Sequence, residues 1–153
     1  MPGARYHWEN RLVSDGSLHA AGVVQADAQG LVVVPAFEVS PGGNRLELRP
    51  NQYQLSGGEF QAGGMVQLHL VDADPGAFQW LAVSAPGPGA TPVPLLEVVL
   101  DLALPILVDV FVADAVGEAS LAIPLAPSLQ GKAIWLQAFQ LGSKSNVLPA
   151  VIL

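Results

Sequence analysis

The sequence predicts an all-β protein, an antiparallel β-sandwich of about ten short strands. Two segments, 45–49 and 65–71, alternate apolar and polar residues with the period of two that a half-buried strand shows. Turn residues such as Asp-Gly, Pro-Gly and Gly-Gly recur about every 8 to 14 residues. No longer window carries an apolar stripe of helical period. This pattern is typical of immunoglobulin-like or jelly-roll-like sandwiches.

The first part of the chain predicts an N-terminal arm followed by two strands. Residues 1–13 are polar and aromatic, and predict a terminal arm or edge strand, or an arm that contacts a neighbouring subunit. Strands are predicted at 17–25 and 31–39. The β-branched run 31–34 predicts a strand covered on both faces, and Pro35 places it at an edge or a bulge.

Two similar segments predict the same β-turn. Asp27 precedes Gly30 as Asp114 precedes Gly117, each ahead of a predicted strand. An aspartate can cap its own turn through its side chain, and glycine adopts the positive φ that such turns need. These residues are therefore interpreted as turn-forming residues.

Beyond residue 50 the chain predicts further strands separated by glycine- and proline-rich loops. The glycine-rich segment 57–64 predicts a flexible hairpin or lid, and 85–92 predicts a loop. The predicted strands in this part are 77–84, 95–102, 106–112, 118–125, 133–141 and 146–153.

The predicted organisation is a single sandwich domain of residues 1–153 with the N-terminal arm 1–13. The alternative divides the chain at loop 85–92 into two small β modules, 1–84 and 93–153. A single domain is favoured because each half offers few residues with which to build a core.

The apolar segment 93–112 raises the question of a membrane span. It contains Glu97, Asp101 and Asp109, and each central carboxylate costs about 2.5–3.5 kcal/mol to insert. Two strands on either side of Pro105 explain the segment better. The sequence predicts no transmembrane segment.

The charge composition argues against a nucleic-acid partner and favours an oligomer. Six Lys and Arg residues are scattered among thirteen Asp and Glu, for a net charge of −7, so nucleic-acid binding is not predicted. Only 12% of residues are charged, against about 25% in ordinary soluble domains. Interfaces of obligate oligomers are depleted in charge in this way. The composition predicts a homo-oligomer or a larger assembly.

No residue set predicts catalysis or a bound cofactor. There is no cysteine and no Gly-x-Ser-x-Gly segment, and the three histidines are not spaced to hold zinc. Asp72 and Asp74 form the weak calcium candidate, but calcium takes six to eight oxygen ligands and turn capping explains both. We expect a protein that is not an enzyme and has no cofactor.

Aromatic side chains suggest the alternative ligand, a glycan. Sugars stack on exposed aromatic rings in β-sandwich lectins, and Trp8 with Tyr6 lies in the polar N-terminal segment. Trp80 and Trp135 lie within apolar strands, where core packing is the better interpretation.

The segment from Asp114 to Asn146 resembles bacterial immunoglobulin-like sandwich modules. More narrowly it is similar to a C-terminal β module of exported bacterial surface proteins, on the motifs Leu129-x-Gly131, Gln137-Ala138 and Ser145-Asn146. The resemblance implies a sandwich fold and an extracellular, cell-surface or virion-surface setting. Because the N-terminal residues show no apolar leader, a cytoplasmic location stays open.

The functional expectation is a non-enzymatic structural or assembly protein. Its β-sandwich would associate with copies of itself in a surface layer, a filament or a virion, as a capsid decoration protein does. The alternative is a carbohydrate-binding β-sandwich module.

Overall fold

A computed structural model describes residues 3–153, so the first two residues of the predicted arm lie outside the described part. Strands dominate it, and every strand pair is antiparallel. The strands of the described chain are β1 Arg5–Leu12, β2 Leu18–Gln25, β3 Asn44–Pro50, β4 Gln54–Gly57, β5 Met65–Val71, β6 Phe78–Ser84, β7 Pro88–Val93, β8 Val98–Leu102, β9 Ile106–Val112, β10 Ala119–Pro124, β11 Ala133–Gln140, β12 Ser143–Lys144 and β13 Leu148–Val151. Short 3-10 helices lie at Pro94–Leu96 and Pro127–Leu129. The all-β prediction is confirmed.

Two facing sheets form the sandwich. The small sheet has the order β10-β5-β4, and the large sheet has the order β12-β11-β6-β9 with β13 also paired to β11. Alternation in β5 buries Val66, Leu68 and Leu70 against Leu81 and Leu136 of the large sheet. Burying each such side chain contributes about 1.5–3 kcal/mol. The main core therefore lies between these two sheets.

A second apolar cluster covers part of the other face of the large sheet. The β7–β8 hairpin lays Leu100 and Leu102 over Phe139 of β11. Trp80 and Trp135 pack against this cluster half-buried, and the ring of Trp80 stacks on Phe139 with centroids 6.0 Å apart. The interpretation of both tryptophans as packing residues agrees with these contacts.

A three-stranded N-terminal sheet of order β2-β1-β3 completes the fold. Residues 5–12 thus form its central strand, not an edge strand. Polar contacts join this sheet to the sandwich: the Arg5 guanidinium donates to Asp74 at 2.5 Å, and Arg49 contacts Asp72. His7 is fully buried at this junction, with Nδ1 3.9 Å from Asp72 Oδ1.

The predicted strand 31–39 is wrong. These residues form no strand, and Leu31, Val33 and Val39 are 64%, 77% and 73% exposed. Ala36 adopts a left-handed φ of 50° directly after Pro35, which interrupts any extended run. The segment 31–43 is instead a loop.

Both glycine- and proline-rich loop predictions need correction. Segment 57–64 is no flexible lid, because Phe60 within it is 7% exposed and belongs to the main core. Segment 85–92 is not wholly a loop, since β7 begins at Pro88 and pairs with β8. Pro88 and Pro92 are tolerated because β7 pairs with β8 alone among the described strands.

The buried phenol of Tyr53 should make the stability of the protein depend on pH. Its phenol is buried and donates to Gln79 Oε1 at 2.7 Å, and burial, with the Asp74 charge, raises the pKa of Tyr53. A raised folded-state pKa gives stability that is complete below the unfolded value of about 10 and is lost as pH rises above it. We expect the free energy of unfolding to fall above that pH in wild type and to fall less in Tyr53→Phe, measured by urea denaturation from pH 8 to 11. Equal slopes for both proteins would contradict this expectation.

None of the helical turns among residues 3–153 has the length and apolar character needed to cross a membrane.

Candidate interaction surface at strand β9

Strand β9 forms one edge of the large sheet. It pairs with β6, and no other strand of the described chain lies on its other side. Its sequence, ILVDVFV, is β-branched and apolar, which favours extended backbone. All seven residues except Phe111 are exposed, and Phe111 packs against the main core. An apolar edge strand presents unpaired backbone groups and is a template for a further strand, although here the Val110 amide already donates to Asp109 Oδ1.

A bulge sets the direction of the β9 side chains. Leu81 lies opposite Asp109 and Ala82 opposite Leu107, so Val108 is the extra residue. A bulge shifts the alternation between the two faces of a strand. Consequently Ile106 on one side of the bulge and Phe111 on the other both turn towards the small sheet.

The outer face of this edge is apolar and uncovered. Across the β6–β9 ladder, Phe78 lies opposite Val112, and Trp80 lies opposite Val110. Phe78, Val112, Val110 and Leu107 are 63%, 51%, 46% and 55% exposed. These four residues are called the β9 surface below. Apolar surface that stays contiguous on one sheet edge is typical of interaction sites.

An apolar groove opens beside this edge, between the two sheets. Its volume is about 290 Å³. Ile106 and Val108 of β9 line one wall, and Ile123 and Pro124 of β10 line the opposite wall. Both strands are the outer strands of their sheets, so this side of the sandwich is open. The groove extends the apolar character of the edge into the molecule.

Asp109 is the one charged residue on β9. It is exposed and its Oδ1 accepts a hydrogen bond from the Val110 amide at 2.8 Å. A charged side chain in the middle of an apolar edge disfavours indiscriminate pairing of that edge. The strand therefore combines an apolar contact area with one charge that any partner must accommodate.

The predicted sugar-stacking site is not formed. Trp8 is 6% exposed, and its indole lies over Gly22 of the neighbouring strand, where an added Cβ would come within 2.8 Å of Nε1. The prediction that Trp8 is an exposed platform is therefore wrong. Tyr6 lies two residues before Trp8 on the same strand and is half-buried.

The calcium candidates lie at the junction between the N-terminal sheet and the sandwich. Asp72 is 2% exposed, contacts Arg49 and accepts the Gln52 amide at 2.9 Å. Asp74 pairs with Arg5. Arginine thus takes up both carboxylates, and residues 3–153 contain no group of three or more side chains placed to hold a metal ion. Both aspartates serve the junction.

Sequence reasoning predicted β9 as a strand but did not single it out as a surface. A continuous apolar run such as 106–112 is typical of a strand covered on both sides. The low charged fraction, 12%, indicated that an interface exists somewhere on the molecule. The strand order adds what the sequence pattern lacks, because it leaves the apolar β9 at an edge of the large sheet.

No family model matches the sequence, and no curated protein matches it. In the structural comparison the chain is similar to a region of a mutant alpha-2-macroglobulin from Salmonella, known from a crystal structure, with 11% sequence identity and a TM-score of 0.40. The alignment covers 99% of this chain and 14% of that one. The structure confirms the β-sandwich architecture that the resemblance to immunoglobulin-like modules implies, but no specific family is shown.

Proposed function

We propose that this protein is a non-enzymatic structural subunit that associates with copies of itself through the β9 surface. The observation that carries the proposal is the edge strand itself. Seven residues, six of them apolar, lie at the edge of the large sheet with one side unpaired. Strand addition at such an edge supplies backbone hydrogen bonds for affinity and side-chain contacts for specificity.

The free energies involved indicate which contacts association requires. Each new backbone hydrogen bond contributes about 0.5–1.5 kcal/mol net. The four side chains of the β9 surface are already partly covered, so each gains less than the roughly 1.5–3 kcal/mol of complete burial. Association itself costs about 4–15 kcal/mol. The edge hydrogen bonds and the apolar contacts are therefore both required, and association depends on protein concentration.

The composition agrees with this function. With 12% charged residues the chain has few side chains to keep every face solvated, which suits a subunit whose faces are covered in an assembly. The assembly we propose is a surface layer, a filament or a virion coat, at an extracellular or particle surface. The resemblance to modules of exported surface proteins supports this setting.

The proposal predicts that one charge on the β9 surface prevents association. Val110→Lys places an ammonium group on the outer face of the edge, and we expect it to shift concentration-dependent oligomers of wild type to monomers in sedimentation velocity. Burying that charge without a partner makes association unfavourable. The matched control is Val99→Lys on β8, since Val99 and Val110 are 49% and 46% exposed.

The control should assemble as wild type does, with all three proteins melting at similar temperatures. A wild-type protein that is monomeric at every concentration would overturn the proposal. Assembly of Val110→Lys equal to that of wild type would also overturn it.

A further inference from the structure

We infer that the segment 31–34 of one copy adds as a strand to β9 of the next copy, so that the subunits join head to tail. This inference rests on the proposed function and names the partner of the β9 edge. It starts from the apolar run Leu31-Val32-Val33-Val34, which was predicted as part of a strand but forms none in the structure.

The segment 31–34 alternates as a strand does, but has no ladder. Leu31 and Val33 are exposed, whereas Val32 and Val34 are half-buried. Within the described chain, the backbone hydrogen bonds of this segment stop at Leu31, whose amide donates to Asp27 Oδ1 and whose carbonyl accepts the Asp27 amide. The backbone groups of Val32 to Val34 take part in no backbone–backbone hydrogen bond there.

The sequence of segment 31–34 favours a strand that the fold does not form. Valine and leucine in alternation favour a strand, and natural sequences are in general locally consistent with their fold. A conflict between local preference and observed structure is expected at functional positions. The turn at Asp27–Gly30 and the left-handed Ala36 bound the segment on both sides, which limits any strand it forms to a few residues.

The lengths of the two partners agree. The bulge at Val108 leaves residues 109–112 as the regular part of β9, with Val110 and Val112 on its outer face. Segment 31–34 supplies a strand of equal length. Leu31 and Val33 on its exposed face can continue the apolar face formed by Val110 and Val112.

Charge distinguishes this partner from a second β9 strand. Asp109 is the middle residue of β9, so two β9 strands paired antiparallel over all seven residues would place Asp109 opposite its copy. Like charges directly opposite destabilise a strand pair. Segment 31–34 is uncharged and brings no carboxylate to Asp109. The observations therefore favour a head-to-tail contact, which forms rings or open filaments.

Complementation between two variants tests the inference. Val33→Lys blocks the donor segment but keeps β9 intact, and Val110→Lys blocks β9 but keeps the segment intact. We expect each variant alone to be monomeric, with association about a hundredfold weaker than in wild type. An equimolar mixture should form a 1:1 heterodimer, because one intact donor meets one intact acceptor and growth stops there. Sedimentation velocity with one variant labelled measures this species.

Val39→Lys is the matched control, because Val39 is 73% exposed in the same loop and lies outside the segment. It should assemble as wild type does. If Val33→Lys alone assembles like wild type while Val110→Lys does not, the donor assignment fails and a β9–β9 contact replaces it, with the proposed function intact. If the mixture forms no heterodimer, the inference is overturned. A monomeric wild type overturns the proposed function as well.

Discussion

Deletion of residues 146–153 is expected to abolish cooperative folding of the sandwich. β13 in this segment pairs with β11, and Ile152 beyond it is 0% exposed in the main core. Asn146 joins the segment to β4, since its Oδ1 accepts the Leu55 amide at 2.7 Å and its Nδ2 donates to the Leu55 carbonyl at 3.0 Å. Loss of these contacts exceeds what a total stability of about 5–15 kcal/mol tolerates.

A pair of point variants separates burial from strand pairing in this segment. Ile152→Ala should lower the free energy of unfolding by about 2–5 kcal/mol, because it leaves a cavity in the core. The neighbouring Val151 is 57% exposed, so Val151→Ala should change it by only about 0.5 kcal/mol. Urea denaturation followed by circular dichroism gives both values. A truncated chain that kept the wild-type melting temperature, or equal losses in the two point variants, would contradict this placement of the last strand.

Strands with a strict alternation could be predicted from sequence because one period fixes both the strand and its buried face. β5 is the clearest case: Val66, Leu68 and Leu70 are buried, and the residues between them are exposed. The Asp27–Gly30 and Asp114–Gly117 turns were predicted for the same reason, a local one. Asp114 Oδ1 accepts the amides of Val116 and Glu118, both at 2.9 Å, and both glycines have positive φ.

Features set by distant contacts could not be predicted. Trp8 occurs in a polar stretch that suggested exposure, but Gly22 on the paired strand leaves room for its indole. Phe60 lies among glycines that suggested a mobile loop, yet it fills space in the main core. In both cases the burial of the side chain depends on residues distant in sequence, so the local sequence pattern could not predict it.

The candidate surface shows the same limit. Composition predicted an interface, and the run 106–112 predicted a strand, but apolar runs describe buried and edge strands alike. The run 31–34 was predicted as a covered strand, but it forms a loop in which Leu31 and Val33 are exposed. Segment 31–34 has no ladder and β9 has one on one side only, and the proposed contact pairs one with the other.

Gly117→Ala is expected to be among the most destabilising single substitutions in the chain. Gly117 has φ +80°, and a Cβ there would lie 2.2 Å from the carbonyl oxygen of Ala73, a backbone atom that cannot move aside freely. The two residues are also joined by the hydrogen bond from the Ala73 amide to the Gly117 carbonyl at 3.0 Å. Left-handed backbone costs a non-glycine residue about 1–2 kcal/mol, and overpacking adds about 1–3 kcal/mol.

Gly131→Ala separates these two costs. Gly131 also has a positive φ, +74°, but an added Cβ would meet nothing within 4 Å. It should therefore lose only the backbone contribution of about 1–2 kcal/mol, and Gly117→Ala should lose about 2–5 kcal/mol in the same urea titration. Equal losses would mean that Ala73 does not approach Gly117 so closely. A larger loss in Gly117→Ala fixes the turn after Asp114 against the end of β5, a contact between segments about 40 residues apart that the turn sequence alone does not contain.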